Sequence, residues 1–243
     1  MVHWRVPTPL IVDAVVPALD EEETLPGFLA EISGRVRRVV IVDNGSRDRT
    51  AERARAGGAV VVDEAQRGYG AACLRGIRDC REHQPPPDVI VFLDADGADD
   101  PAELEHLVGP IERGEADLVI GSRTLPGARV EPGALTPQAR AGNFVATMMI
   151  RALYGVQHTD LGPYRAITLA ALDRLDMRDR DWGWTAEMQV KAIKRGLRVL
   201  EVPVAWRRRR GGRSKISGTL RGVIGAGYKI LSTIYRHARG PEQ

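Results

Sequence analysis

Apolar runs of strand length alternate with amphipathic helical patterns along most of the chain. Six runs predict strands, and they read LIVDAVVPA, VRRVVIVDN, GAVVVDEA, DVIVFLDAD, ADLVIGSR and LRVLEVPVAW. Apolar residues at helical spacing predict helices near residues 22–33, 48–57, 69–83, 101–113, 137–154, 168–174 and 185–196. This alternation is typical of an α/β fold, in which a mostly parallel sheet has helices on both faces.

The length and composition favour one domain without a membrane-spanning segment. The chain has 243 residues, and its 43% hydrophobic content is enough to bury a full core. No apolar run approaches the ~18 residues that a transmembrane helix needs, and the first 20 residues lack the features of a signal peptide. Cys73 and Cys80 lie in one predicted helix, about 10 Å apart along its axis, which is too far for a disulfide. We therefore expect a cytoplasmic protein with reduced core thiols.

The net charge of +3 conceals a strongly basic end. Residues 203–241 contain no Asp or Glu but ten Lys and Arg, and beyond Ile216 the basic residues are interleaved with apolar ones at helical spacing. A basic amphipathic segment of this kind could lie on the inner face of the cell membrane, contact a second subunit of a homo-oligomer, or be solvated. No aromatic stacking platform accompanies the charge, so we expect no nucleic-acid partner.

Polar residues follow the predicted strands at the edge where an open α/β sheet binds its ligands. The first strand is followed by Asp20 and Glu21, the second ends at Asp43, and the fourth is followed by Asp94 and Asp96. Crowded carboxylates repel each other unless they share a hard cation, and oxygen ligands suit Mg²⁺ or Mn²⁺. The sequence therefore predicts a divalent metal at Asp94 and Asp96.

Two further aspartates and one long loop belong to the same region of the sequence. Asp99 and Asp100 precede Pro101, and we interpret both as caps of the next helix. Residues 124–137 are rich in Gly and Pro, and we expect them to form a flexible lid.

Five segments in this order and spacing resemble the family-2 glycosyltransferases of the GT-A fold, which is Rossmann-like. They read VVPALDEE, VDNGSRDRT, RGYGAACLRGI, FLDADGADDP and VIGSR. Within that family they are most similar to the dolichol- or polyprenyl-phosphate sugar transferases. The resemblance implies a catalytic domain at 1–203, with a nucleotide-sugar half at about 10–123 and an acceptor half at 124–203. A basic extension at 204–243 would then contribute to the acceptor site or to a membrane or subunit contact.

The resemblance also implies the ligands of each half. The nucleotide-sugar donor would bind at Pro17, Ala18, Glu21, Asp43, Gly68, Asp94 and Ala95, with the metal at Asp94 and Asp96. A lipid-phosphate acceptor would bind at Arg123, Arg140, Asn143, Arg209, Ser214 and Lys215. A phosphate monoester is already ionised at neutral pH, so such an acceptor needs cations and no general base. The implied catalytic residues are Asp96, Glu187 and Arg209.

Three alternatives remain open at this stage. Glu187, beside Trp182 and Trp184, could be a general base for a hydroxyl acceptor, and Trp184 could stack on a sugar or pack in the core. A nucleotidyltransferase of similar architecture would need a Gly-rich basic loop after the first strand, where this chain is acidic. A binding module without catalysis would have no evident use for the metal pair. We favour an inverting, metal-dependent transferase that passes a sugar from a UDP- or GDP-linked donor to a polyprenyl-phosphate-like acceptor.

Overall fold

The computed structural model describes residues 9–32, 34–211 and 220–239. Its strands are β1 Val12–Ala18, β2 Arg38–Asp43, β3 Val60–Asp63, β4 Val89–Phe92, β5 Leu118–Ser122, β6 Arg129–Val130, β7 Arg165–Thr168, β8 Val199–Pro203 and β9 Ala205–Trp206. Its helices are α1 Leu25–Glu31, α2 Thr50–Ala56, α3 Tyr69–Glu82, α4 Leu104–Glu112, α5 Pro137–Tyr154, α6 Leu169–Leu175, α7 Trp184–Lys194 and α8 Leu220–Arg239. All six predicted strands and all seven predicted helices are confirmed.

Seven strands form one sheet in the order β3-β2-β1-β4-β7-β5-β8, and β6 pairs separately with β9. The pairs β1–β2, β1–β4, β2–β3 and β5–β8 are parallel, whereas β7 is antiparallel to both of its neighbours. The predicted mostly parallel sheet is therefore confirmed. The sheet contains strands from both predicted halves of the chain, so the halves share one core.

The strands are apolar on both sides because helices cover both faces of the sheet. One buried cluster joins the sheet to α1, α2 and α4, and a second joins it to α3, α6 and α7. Cys73 and Cys80 belong to the second cluster as free, buried thiols, as expected. A third cluster packs α5, α7 and α8 against one another, and the Tyr154 hydroxyl on α5 donates to the Ile234 carbonyl on α8 at 2.7 Å.

The chain after β8 returns across the ligand-binding edge of the sheet. β9 pairs with β6, and the Arg207 and Arg210 N–H groups then donate to the carbonyls of Ala98 and Asp96. Residues 207–211 therefore lie directly against the loop that follows β4. Among the helices of the described ranges, none combines the length and the hydrophobicity that a bilayer-spanning helix requires.

Candidate functional site

A cavity of about 450 Å³ opens at the carboxyl ends of β1, β2 and β4. Of the residues predicted from the sequence, its wall contains Pro17, Ala18, Glu21, Gly68, Asp94, Ala95, Asp96 and Arg209. Its wall also includes Asn44, Arg67, Tyr69, Asp181 and Trp182, which the sequence analysis did not select as donor ligands. Because the parallel strands end together, segments that lie far apart in sequence meet at this edge.

Glu21, Asp94 and Asp96 lie close to the Arg209 guanidinium in this cavity, whose wall also contains Arg67 and Asp181. Arg209 donates from Nη1 to Asp96 Oδ2 at 3.0 Å and from Nη2 to Glu21 Oε1. Burial raises the pKa of Glu21 although Arg209 lies beside it. Burial, together with the negative charge of Asp96, raises the pKa of Asp94 to about 7. One arginine therefore leaves this group of carboxylates short of positive charge.

The two aspartates that were interpreted as helix caps have different roles. Asp100 accepts a hydrogen bond from the Ala102 N–H at 3.0 Å, so its predicted capping role is confirmed. Asp99 is fully buried and accepts from the Asp94 N–H at 2.8 Å, so for this residue the capping interpretation was wrong. Burial and the charge of Asp94 raise the pKa of Asp99 well above its usual range. Asp99 therefore holds the backbone of the Asp94 loop.

Asp94 and Asp96 are suited to a hard divalent cation. Both side chains offer carboxylate oxygens, and a shared cation would offset the burial and the repulsion from Asp96 that together raise the pKa of Asp94. Within the described ranges, no group of three or more His, Cys, Asp and Glu residues is arranged to enclose a metal. A cation bound here would therefore complete its coordination with water and ligand oxygens, as Mg²⁺ commonly does.

Asp43 is not part of the described cavity wall, and its role as a direct donor contact stays a prediction. Its carboxylate accepts the Ser46 N–H at 2.9 Å and so braces the loop after β2. The neighbouring Asn44 lines the cavity instead. The Asn44 amide donates to the carbonyls of Glu64 and Gln66 and accepts the Gly68 N–H at 2.9 Å. Asn44 thereby fixes the segment that carries Gly68.

Gly68 and Gly70 allow the start of α3 to touch the segment 179–181. A Cβ atom at Gly68 would lie 2.1 Å from the Arg180 carbonyl oxygen, and one at Gly70 would lie 2.1 Å from the Asp179 carbonyl oxygen. Gly68 also has φ +140°, a conformation that residues with a side chain rarely adopt. This close approach brings Asp181 and Trp182 to the cavity wall.

Glu187 lies behind that segment and does not line either cavity described here. It is 2% exposed, and its carboxylate accepts the Arg178 and Asp179 N–H groups and pairs with Lys191 at 2.7 Å. This position suits a brace for residues 178–181 better than a general base. Trp184 is buried and packs edge-on against Phe92, with ring centroids 5.9 Å apart, which supports core packing over sugar stacking.

A second cavity of about 670 Å³ lies beside α5. Its wall contains the predicted acceptor residues Arg123, Arg140 and Asn143, together with Arg151 and His158. Asn143 braces residues 159–161, because its amide donates to the Thr159 carbonyl and accepts the Leu161 N–H. No Asp or Glu belongs to the described wall of this cavity.

The cations of the second cavity differ in their surroundings. Arg123 makes a bidentate ion pair with Asp160, at 2.6 and 2.8 Å, and its guanidinium lies 4.8 Å from the centre of the Trp206 ring. Arg140 and Arg151 are exposed and have no acidic partner among the described residues. The predicted residues Ser214 and Lys215 lie outside the described residues.

His158 was not identified from the sequence. It is 7% exposed, and its Nε2 atom has no hydrogen-bond partner among the described residues. Burial, with a smaller contribution from the positive charge of Arg165, lowers the pKa of His158 to about 4. Its imidazole is therefore neutral at pH 7. No sequence signal distinguishes it from a histidine of the core.

Relatives with known names cover most of this chain. It is 39% identical over 214 residues to an uncharacterised glycosyltransferase of Mycobacterium tuberculosis, covering 88% of this chain and 93% of that protein. It is 31% identical over 224 residues to the undecaprenyl-phosphate mannosyltransferase of Micrococcus luteus, covering 87% and 88%. It is also 31% identical to the glycosyltransferase AglJ of Haloferax volcanii, covering 96% and 74%.

Solved structures share the fold. A mycobacterial protein has a TM-score of 0.76 at 25% identity, covering 96% of this chain and 76% of that one. Glucosyl-3-phosphoglycerate synthase from Mycobacterium tuberculosis, in complex with Mn²⁺, UDP-glucose and phosphoglyceric acid, has a TM-score of 0.74 at 24% identity, covering 96% and 81%. The family model described as glycosyl transferase family 2 matches residues 13–175, from β1 to the end of α6. The chain therefore belongs to glycosyl transferase family 2 and is a glycosyltransferase of the GT-A fold.

Proposed function

We propose that this glycosyltransferase moves a sugar, with inversion at the anomeric carbon, from a UDP- or GDP-linked donor to a polyprenyl-phosphate-like acceptor. The donor would occupy the cavity at the ends of β1, β2 and β4. Asp94 and Asp96 would hold Mg²⁺ or Mn²⁺, which would neutralise charge on the leaving diphosphate. The acceptor phosphate would enter the second cavity.

The composition of the second cavity carries this proposal. Its described wall contains three arginines, a neutral histidine and no carboxylate. A hydroxyl acceptor needs a base to remove its proton, whereas an ionised phosphate needs only cations to hold and orient it. Arg140 and Arg151 have no acidic partner among the described residues, so they remain available for an anion. The wall therefore suits a phosphate better than an alcohol.

The proposed transfer exchanges one bond for another at the anomeric carbon. An acceptor phosphate oxygen forms a bond to that carbon while the bond to the donor diphosphate breaks on the opposite face. The nucleoside diphosphate leaves with the electron pair, and no proton has to be removed from the acceptor. The protein contributes orientation and positive charge. Arg123, in the wall of the second cavity, lies close enough to Asp99 and Asp94 to interact with their charges.

Named relatives give a precedent for each half of this reaction. The structural neighbour with the same fold was crystallised with Mn²⁺ and UDP-glucose, which is the precedent for the donor and the cation. The relative from Micrococcus luteus is named for undecaprenyl phosphate, which is the precedent for the acceptor. The alternative with a hydroxyl acceptor has less support, because Glu187 is buried against backbone N–H groups and His158 is a weak base at a pKa of about 4.

The test is a transfer assay with UDP- and GDP-sugars, Mg²⁺ or Mn²⁺, and a panel of acceptors that contains polyprenyl phosphates and the corresponding polyprenols. We expect product only with the phosphates. Glu187→Gln should lower stability, because it leaves Lys191 without its buried partner, but the pH profile of transfer should keep its shape. Transfer to the alcohols alone, with an acidic limb of the pH profile that disappears in Glu187→Gln, would replace this proposal with the hydroxyl alternative.

A further inference from the structure

The exposed apolar side chains of this protein are concentrated on two neighbouring helices. Nine large apolar residues are exposed in the described ranges, and all except Leu200 lie on α5, just beyond its end, or on α8. The eight are Phe144, Val145, Met148, Leu153, Val156, Ile224, Tyr228 and Tyr235. Single exposed apolar residues are normal on a protein surface, but a concentration on adjacent elements marks an interaction site.

These side chains are not left over from packing, because other faces of the same helices form the core. Ala146 and Ile150 of α5 and Ile234 of α8 are buried in the cluster shared with α7. On α8, Ile224 and Tyr228 are 63% and 76% exposed and lie four residues apart, with Tyr235 seven residues further on the same face. Folding therefore does not require apolar residues at these outer positions.

A stripe of α5 combines the apolar residues with cations. Arg140, Phe144, Met148 and Arg151 recur at helical spacing, so they lie along one face, and all four line the second cavity. Phe144 is 64% exposed and Met148 is 44% exposed. The stripe therefore has an apolar centre with an arginine near each end, beside the mouth of the cavity.

The charge on these two helices has one sign. Neither α5 nor α8 contains an Asp or a Glu, whereas both contain arginines. Arg236 and Arg239 lie at the end of α8, and the Arg239 guanidinium lies 4.3 Å from the centre of the Tyr235 ring. Elsewhere on the described surface many arginines have a carboxylate partner, as Arg113 has in Glu115. The outer faces of α5 and α8 are thus both apolar and cationic.

We propose that these outer faces, which we call the α5–α8 face, dock on the surface of an anionic lipid bilayer. Apolar side chains enter the boundary between headgroups and acyl chains, and the arginines contact anionic headgroups. Docking through α5 would bring the mouth of the second cavity to the headgroup layer, from which a lipid phosphate can enter. The role of that cavity as the acceptor site rests on the proposed function.

A bilayer fits this face better than a second copy of the chain does. A twofold contact would place the same surface on both subunits, so the arginines of one copy would face those of the other without intervening carboxylates. Repulsion between like charges would oppose that dimer. An anionic membrane supplies the complementary charge and also accepts the apolar side chains.

The experiment measures binding of the whole protein to phosphatidylcholine vesicles with and without phosphatidylglycerol, in the absence of substrates. We expect binding to the anionic vesicles that weakens as salt is added. Arg140→Gln with Arg151→Gln should weaken it about thirtyfold, since each cation near an anionic surface contributes roughly fivefold. The matched control, Arg55→Gln with Arg78→Gln, removes the same charge from exposed positions on α2 and α3 and should leave vesicle binding unchanged.

A second pair of variants separates docking from chemistry. Ile224 and Tyr228 lie outside both cavities. The double variant Ile224→Ser with Tyr228→Ser should weaken vesicle binding about tenfold, while transfer to a short-chain, water-soluble acceptor phosphate remains unchanged. Equal binding to neutral and anionic vesicles, or a solution dimer that becomes monomeric in this double variant, would overturn the inference. If vesicle binding behaves as expected but only alcohols are glycosylated, the docking face stands and the proposed function falls.

Discussion

Each acidic residue after β4 has a different partner, and the partner determines what its carboxylate can do. Asp96 pairs with Arg209, Asp99 accepts the Asp94 N–H, and Asp100 pairs with Arg207 while it caps the following turn. Only Asp94 and Asp96 line the first cavity. Four similar side chains thus divide into two that can bind a ligand and two that hold the loop in place.

Asp96→Asn should remove most of the divalent-cation dependence of donor binding. The amide keeps the shape of the side chain but loses the charge, so the affinity for nucleoside diphosphate in the presence of Mn²⁺ should fall at least about tenfold. Calorimetry with and without Mn²⁺ measures this. Asp63→Asn, on the exposed end of β3 and outside the cavity, is the matched control and should bind as the parent does. The same cation dependence in both variants would contradict the metal assignment.

Local sequence predicted the acidic loop, which lines the first cavity, but could not predict the long-range partners of its residues. Asp94 and Asp96 were found because they follow a buried apolar strand, which is a local pattern. The pairing of Arg209 with Glu21 joins residues 188 positions apart, and no local pattern encodes it. The place of Asn44 in the cavity wall could not be predicted either, because it depends on hydrogen bonds to Glu64, Gln66 and Gly68, which lie 20–24 residues away.

The elements around the first cavity are held by close backbone contacts. The start of α3 touches residues 179–181, where the Ala71 N–H donates to the Arg180 carbonyl at 2.9 Å.

Strand β7 was not predicted from the sequence because it has only four residues and begins with the charged Arg165. That arginine is fully buried and donates to the Gly162 and Thr185 carbonyls, so the strand depends on tertiary partners.

Gly68→Ala should destabilise the protein and weaken donor binding together. The added Cβ would meet a backbone oxygen at 2.1 Å in a conformation unfavourable for alanine, so we expect a loss of about 3 kcal/mol in the free energy of unfolding. Gly58→Ala is the control, since Gly58 also has positive φ but has no atom within 4 Å of the new Cβ. It should lose only about 1–2 kcal/mol. Urea unfolding of both variants tests this, and equal losses would argue against the close contact.

The loop 124–137, expected to be a flexible lid, is anchored at its centre by β6. The Arg129 and Glu131 N–H groups donate to the Val204 and Trp206 carbonyls. We therefore expect these two amides to be protected from hydrogen exchange without ligand, whereas residues 132–136 gain protection only when donor and acceptor bind. Hydrogen exchange followed by mass spectrometry measures both regions. Protection of 132–136 that is the same with and without ligands would count against a lid.

The whole molecule combines two cavities of opposite character on one sheet. The first cavity has an excess of carboxylates, and the second has arginines with no carboxylate in its described wall. Arg123 belongs to the wall of the second cavity and Arg209 to the wall of the first. An anionic donor that brings a cation and an anionic acceptor that brings none would therefore find complementary sites.

The buried His158 should make stability depend on pH. Its pKa in the folded protein is about 4, below the ordinary 6.5, so its contribution is fully present above pH 6.5 and is lost as the pH falls through the folded pKa. At about pH 5 the loss should be about 2 kcal/mol. His158→Gln should lose less stability than the parent between about pH 7.5 and 5, as measured by urea unfolding. Identical losses would show that His158 does not contribute.

The pairing of Arg209 with Glu21 and Asp96 has a kinetic consequence. Arg209 lines the first cavity, and one guanidinium cannot hold these carboxylates and an acceptor phosphate at the same time. A phosphate that reaches from the second cavity towards the donor should therefore contact Arg209 only after the donor and its cation have replaced Arg209 at Asp96. Substrate addition should then be ordered, with the nucleotide-sugar first. Calorimetry should show that a short-chain acceptor phosphate binds about tenfold more tightly when nucleoside diphosphate and Mn²⁺ are present, and that Arg209→Ala abolishes the difference. Acceptor affinity that does not respond to the nucleotide in the parent enzyme would mean that the two substrates add in random order.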